Sequence, residues 1–406
     1  MALFLAAALS LATVRSAQAA VIVKGFPVWA EPLARRSLNA VWEQIPSSQP
    51  PEERARILPL VAERLFEGYA ITSVDGDADP VTVTFRPLEE RAWTVALIAP
   101  SLSFPLDGWF VEDLQGADAV LAGLLEGLPP SALSWAGRTL EEAVDQTLRA
   151  RLPGWRTSTL FRSEGGAWSL EVRFIPEGTL LLAFEPRLSS MTLPVSLLRT
   201  DLKEDVHERL EPLLGLPVDW LGHHSDEIEL WAGERLRERS VVDKMKGQVD
   251  VSFKAERISA VDVAIESHRY VLWAWASAYA GTEDRYPEVG LHLGRRATPF
   301  SGWEGELYYE GVLEMNDFSL ENRWGFRWSP WGDVWLGAEL VYPGERLWGR
   351  VSLGGRIGSP YLWWRFSEED SHNLGLGYRL NEYISLELHY DGDDDDSLSL
   401  RAVGNL

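Results

Sequence analysis

The sequence predicts an α+β series of small repeats (β-α-α-β-β) followed by an all-β antiparallel transmembrane barrel of about ten strands. Three observations carry this expectation. Over residues 270–406, apolar and aromatic side chains alternate with charged ones at period two. Over residues 21–267, a pattern of strand, two helices and hairpin recurs three times. No stretch after the N-terminus is long and apolar enough to cross a bilayer as a helix. Strands apolar on one face need a cover; lipid supplies it, and closing the sheet satisfies the backbone of its edges.

Composition narrows the classes. At 406 residues with 46% hydrophobic and 24% charged content, the chain is long enough for several domains and too apolar to be disordered. The net charge of −23 removes nucleic acid and anionic membrane surfaces as electrostatic partners. The absence of cysteine removes disulfides, thiolate metal sites and thiol catalysis. A mean hydropathy of −0.13 suits a barrel whose strands are only half apolar.

Along the chain, residues 3–12 form an apolar core and Ser16-Ala17-Gln18-Ala19-Ala20 supplies small residues, so residues 1–19 are expected to be a signal peptide cleaved after Ala19. No Lys or Arg precedes the apolar core, which departs from the usual signal. The repeats have evenly spaced landmarks: Pro46, Pro129 and Pro217 each end a first helix, and Leu65, Leu148 and Leu236 each sit in the second. In the first repeat, residues 21–24 read as a strand. Residues 32–44 read as a helix with Leu33, Leu38 and Val41 inward. Residues 52–67 read as a second helix with Leu58, Val61, Leu65 and Phe66 inward and a kink at Pro59. Hairpins are expected over 70–85 around Asp75-Gly76-Asp77, over 156–174 around Glu164-Gly165-Gly166, and over 249–265.

The helix end Leu65-Phe66-Glu67-Gly68-Tyr69, leading into Val74-Asp75-Gly76-Asp77-Ala78-Asp79-Pro80-Val81-Thr82-Val83-Thr84-Phe85, resembles a POTRA domain. POTRA modules ahead of a C-terminal barrel are the architecture of the BamA/TamA superfamily of outer-membrane assembly and secretion factors. The resemblance implies periplasmic POTRA-like modules at 20–90, 91–178 and 179–267 and an outer-membrane barrel at 268–406. It also implies sheet edges to which strands of periplasmic or outer-membrane proteins add. The barrel is shorter than the sixteen strands characteristic of that family, and the nearest match to its Arg-Gly-Phe loop motif, Arg323-Trp324-Gly325-Phe326, lies in a strand.

Ten strands are expected at about 270–280, 287–297, 303–313, 322–329, 334–342, 347–357, 361–366, 373–380, 383–390 and 397–405; twelve are possible if 249–265 joins the barrel, although that hairpin completes the third repeat. A soluble antiparallel sandwich is the competing fold. Parity places Glu304, Glu306, Glu310, Arg323, Arg327, Glu339, Arg350, Arg356, Arg365, Arg379, Glu387 and His389 in the lumen. It places Trp324, Phe326, Trp328, Leu353, Trp364, Leu376 and Leu388 towards lipid. The Trp residues at 273, 275, 331, 335 and 363 also read as lipid-facing or interfacial anchors. Mixed charge in so narrow a barrel predicts ion pairs filling it and no wide pore. Leu398, Leu400 and Leu406 share a parity and resemble a C-terminal barrel-insertion signal. One set of connections is acidic and the other tight, which places the acidic loops outside the cell and the tight turns in the periplasm.

Chemistry elsewhere is sparse. The 391–396 Asp cluster reads either as a Ca²⁺ site or as a solvated hairpin tip and lacks EF-hand spacing. His223-His224 has no third metal ligand, and Ser371-His372 beside Glu368, Glu369 and Asp370 is the one grouping with catalytic residue types. The expectation is a non-enzymatic protein without cofactor or metal. Its partners are then outer-membrane lipid and envelope proteins, and it assists insertion or translocation of such proteins. The alternatives are a non-transporting membrane anchor for periplasmic interaction modules and a narrow channel.

Overall fold

A computed structural model describes residues 21–46, 49–76, 80–89, 91–190, 192–281, 285–300, 303–381, 383–392 and 397–405. The expected signal peptide at 1–19, Leu406 and Asp393 to Asp396 lie outside the described residues.

The first module runs β1 (Val21–Lys24), α1 (Glu31–Gln44), α2 (Pro51–Leu65), β2 (Tyr69–Asp75) and β3 (Val81–Pro87). Ala34, Leu38 and Trp42 are buried at every fourth position of α1, and the helix stops at Ile45, which is held extended ahead of Pro46. The second module runs β4 (Trp93–Ile98), α3 (Leu106–Asp113), α4 (Ala117–Leu125), α5 (Leu133–Arg149), β5 (Trp155–Glu164) and β6 (Ala167–Pro176). Its α5 buries Ala136, Leu140, Val144 and Leu148. Its hairpin turns on Gly165 and Gly166, both at positive φ, as a tight two-residue connection requires.

The third module runs β7 (Ala183–Ser189), α6 (Val195–Leu210), α7 (Val218–His223), α8 (Ser225–Arg237), α9 (Ser240–Lys244), β8 (Gly247–Phe253) and β9 (Ile258–Ser267). In every module the last strand is the centre of a three-stranded sheet, parallel to the first strand and antiparallel to the second. One landmark of the repeat is displaced: Leu148 and Leu236 are buried, but Leu65 is 40% exposed and Phe66 takes the inward position.

Two compact units divide near Thr179. In the first, modules one and two share an aromatic joint. Trp135 lies 5.0 Å from Phe66 and 5.5 Å from Phe26, and its indole N–H donates to the Glu67 carbonyl at 3.2 Å. The Trp29 N–H donates to the Leu124 carbonyl and the Tyr69 hydroxyl to the Gly127 carbonyl, both at 2.8 Å. Burial pushes the Tyr69 phenol pKa up, which keeps it a donor. Gly68 sits at φ +94°, and a Cβ there would lie 2.4 Å from the Ser131 Oγ.

In the second unit, module three runs directly into the barrel. Thr192, almost fully buried, accepts the Ser267 N–H on its hydroxyl at 2.7 Å and the Leu272 N–H on its carbonyl at 2.6 Å. The buried Ser267 hydroxyl donates to the Met245 carbonyl at 2.6 Å and accepts the Tyr270 N–H at 2.9 Å. These contacts satisfy the backbone where β9 becomes β10.

The barrel strands are β10 (Tyr270–Ala280), β11 (Glu288–Phe300), β12 (Trp303–Glu314), β13 (Leu320–Trp331), β14 (Val334–Tyr342), β15 (Arg346–Gly354), β16 (Pro360–Ser367), β17 (His372–Arg379), β18 (Ile384–Asp391) and β19 (Ser397–Asn405). Each pairs antiparallel with its neighbour, and β19 returns to β10, from Trp275 opposite Asn405 to Ala280 opposite Leu400. The barrel has ten strands, because the hairpin that allowed a count of twelve is β8–β9 of module three. Strand β15 ends three residues earlier than its alternation suggests, because Gly354 and Gly355 both take positive φ.

Outward on these strands, Trp324, Phe326, Leu353, Trp364, Leu376, Leu388, Leu398 and Leu400 are between 37% and 59% exposed, an apolar belt that only lipid would cover. Trp328 is half-buried and stacks on Phe326 at 5.9 Å. Among the described residues no helix is long and apolar enough to span a membrane.

Candidate functional site in the barrel interior

The register sets the interior. Following strand partners, Arg296, Glu306, Arg327, Gly337, Arg350 and Arg365 form one inward row across six strands. Arg350 and Arg365 stand directly opposite each other, an arrangement that repels unless a counter-charge intervenes. Glu339 is that counter-charge, accepting from Arg350 at 2.9 Å and from Arg365 at 3.1 Å, with the Tyr308 hydroxyl donating to it at 2.7 Å. Glu306 accepts from Arg327 at 2.6 Å and lies 2.7 Å from His292 Nε2. Glu310 meets His292 Nδ1 at 3.2 Å and Arg323 at 2.7 Å, and Arg323 also pairs with Glu321. Each buried carboxylate therefore has at least two charged or hydrogen-bonding partners, which buried ions need to offset a desolvation cost of several kcal/mol each.

A second cluster closes the barrel. Arg401 on β19 donates to Glu387 on β18 at 3.3 Å and to Glu288 on β11 at 3.4 Å. The Tyr279 hydroxyl donates to Glu288 at 2.9 Å, and the Trp363 N–H and Tyr361 hydroxyl donate to Glu387 at 2.7 and 3.1 Å. At the far end from the modules, Asp391 pairs with Arg285.

Glycines make room for the rings that complete these clusters. Trp275, Tyr308, Tyr361 and Trp363 each stand opposite a glycine on the next strand: Gly290, Gly325, Gly377 and Gly375. A Cβ at those glycines would meet the facing ring at 2.1 to 2.3 Å, so each ring lies flat over bare backbone. Outside the barrel, Phe366 covers Gly349 in the same way.

The lumen residues expected from parity separate into two sets. Glu306, Glu310, Arg323, Arg327, Glu339, Arg350, Arg365 and Glu387 converge in the clusters above, and His389 lies beside Glu387 at 3.5 Å. Arg379 stands at the module end and donates to the Gly355 carbonyl at 3.1 Å. Glu304 has inward parity but is exposed at the module-end rim. Arg356 is outside the lumen: the early stop of β15 leaves it in the 355–359 connection, 75% exposed and paired with Asp333.

Trp273, Trp275, Trp335 and Trp363 face the interior, not lipid. Trp331 is 72% exposed at the end of β13. Asp391 is buried against Arg285, which withdraws it from any loop Ca²⁺ site. His224 is buried against Trp220 while His223 is exposed, and the two rings meet edge to face at 5.3 Å. His372 faces outward near Trp364, away from the lumen. Among the described residues no three His, Asp or Glu side chains form a metal-binding group.

The lumen is not solid. A cavity of about 650 Å³ remains, bounded at the module end by Leu193 and Pro194 and along its walls by Trp273, Trp335, Tyr361, Arg296 and Arg379.

No protein-family model matches the sequence, and no curated protein is detectably similar to it. Among solved structures, BamA from Haemophilus ducreyi lacking POTRA domains 1–3 aligns at TM-score 0.18 and 13% identity over 74% of this chain and 50% of its own. CdiB from Acinetobacter baumannii aligns at 0.19 and 11% over 91% and 62%. POTRA1-3 of Omp85 from Anabaena aligns at 0.20 and 12% over 61% and 94%. The chain thus spans half to two-thirds of the barrel-containing structures. The pairing and the apolar belt define the class: a closed ten-stranded β-barrel of the membrane-spanning type that follows three small α/β modules, each built on a three-stranded sheet.

Proposed function

We propose that the barrel holds the three modules on the periplasmic side of the outer membrane of a diderm bacterium, where they assist insertion or translocation of envelope proteins without enzymatic chemistry. The observation that carries this is the repeated sheet order. Because the last strand is central in every module, each sheet leaves two edge strands, and an extended segment of another protein binds such an edge through its backbone. Acidic loops such as 367–371 would then face outward, and the tight turns would share the periplasm with the modules. Lipid is the partner of the belt and envelope proteins are the partners of the edges. Depleting the protein and quantifying the outer-membrane proteome tests this; unchanged levels of every other barrel protein would rule out an assembly role.

A specific observation favours a second reading, a static anchor that moves no substrate. Arg401 bridges the closing strands from inside, contacting β18, β10 and β11 together. The narrow-channel reading has less support, since the charge clusters occupy the middle of the lumen. Steady open-pore currents in planar bilayers would revive it.

A further inference from the structure

We propose that the module-end half of the barrel cavity is a binding site for an oxyanion, carboxylate or phosphate, carried on a small apolar or aromatic body. Arg323, Arg327, Arg350, Arg365 and Arg401 each have a carboxylate within 3.3 Å. Arg296 lines the same cavity and, among the described residues, has no ion pair or side-chain hydrogen bond; its Nε is buried without a partner there. The three carboxylates on the cavity wall, Glu288, Glu310 and Glu387, are already engaged by arginines or His292. The exposed rim carboxylate Glu304 is not part of the wall.

A guanidinium held against an interior surface without a counter-charge is poised to take an anion, and its planar fork suits carboxylate and phosphate alike. Arg379 adds a second guanidinium at the module end. Ten strands spaced about 4.8 Å apart and tilted about 40° make a cylinder about 20 Å across, so arginines on β11 and β17 reach inward from separate walls.

The rest of the wall selects the body of the ligand. Trp273, Trp335 and Tyr361 stand within the first few residues of their strands at the module end, giving apolar faces beside the cations. A volume of about 650 Å³ accommodates a small organic molecule more readily than a polypeptide segment. With the chain as a whole at −23, anions are repelled generally, so occupancy would be confined to this positive interior.

The test is calorimetric titration of the full chain, purified in non-ionic detergent, with phenyl phosphate, benzoate, inorganic phosphate and phenol. Saturable binding of phenyl phosphate or benzoate is expected, with inorganic phosphate weaker and phenol undetected over the same range. Tighter phenyl phosphate marks a phosphate-bearing source, and tighter benzoate a carboxylate source. Arg296→Gln is expected to weaken binding at least about tenfold, the equivalent of one charge-assisted hydrogen bond. Arg356→Gln, on the exposed turn, is expected to leave it unchanged. Arg296 has no carboxylate to orphan, so its substitution preserves the fold, which heat-modifiable gel migration verifies. Equal affinity in Arg296→Gln, phenol binding as tightly as phenyl phosphate, or no saturable binding of either aromatic anion would overturn the proposal.

Discussion

Arg401, on the last barrel strand, holds its guanidinium carbon 4.8 Å from the ring centre of Trp275 on the first. The same side chain bonds Glu387 and Glu288, so one cation ties together the strands on both sides of the closure. Arg401→Leu leaves two buried carboxylates short of a partner and is expected to destabilise the barrel by about 3 kcal/mol or more. The readout is the temperature at which the compact gel band is lost. Arg356→Leu, which breaks only the exposed pair with Asp333, should shift it by less than about 1 kcal/mol equivalent.

The ring-over-glycine pairs make a second expectation. A Cβ at Gly325 would stand 2.3 Å from the Tyr308 ring, so Gly325→Ala should cost about 1–3 kcal/mol through overpacking. Combined with Tyr308→Leu, the cost of the added methyl should largely vanish. Strict additivity of the two substitutions would show that the ring does not occupy that space.

At the joint of the first two modules, Trp135 is half-buried among Phe26, Phe66 and Tyr69. Trp135→Ala is expected to weaken the joint by about 2 kcal/mol. Limited proteolysis of the full chain should then cut faster between β3 and β4, while each module's own core remains resistant.

The second module carries a pH dependence. Burial alone would raise the pKa of Asp145, but the Thr157 N–H at 2.9 Å, the Arg149 guanidinium at 2.6 Å and the Thr157 hydroxyl outweigh it and hold the carboxyl below its ordinary 3.8. A depressed folded-state pKa stabilises above the unfolded value and is lost as pH falls through the folded one. Hydrogen-exchange protection of the Thr157 amide should therefore be steady above about pH 5 and decline on acidification below 3.8. In Asp145→Ala it should be low throughout.

Strand positions were legible because a half-buried strand writes its two faces into alternate residues; 270–280, 334–342 and 397–405 agree with the observed bounds to the residue. The lipid-facing aromatics were harder. Trp335 shares parity with Glu339, and Trp363 with Arg365, so alternation places both inward, against the interfacial position common for membrane tryptophans. For Trp275 no charged neighbour on β10 marks the parity, and the signal was the glycine opposite, visible only once Gly290 is known to be its partner. Arg401 is the only charged residue on β19, and its contact with Glu288 joins the two ends of the barrel sequence, a pairing that appears only once the barrel closes. The end of β15 was written locally in Gly354-Gly355, which overrules the charge at Arg356.

If the modules act while the barrel stays shut, locking the closure should leave their activity intact. Ala278 and Ala402 are opposed across the closing strands, and partners in an antiparallel pair lie about 4.5–5.5 Å apart, within disulfide reach. The chain has no cysteine of its own to compete. In cells depleted of the native protein, an oxidised Ala278→Cys, Ala402→Cys variant is expected to restore the outer-membrane proteome as fully as the unmodified chain. Restoration only after reduction would show instead that the barrel must open.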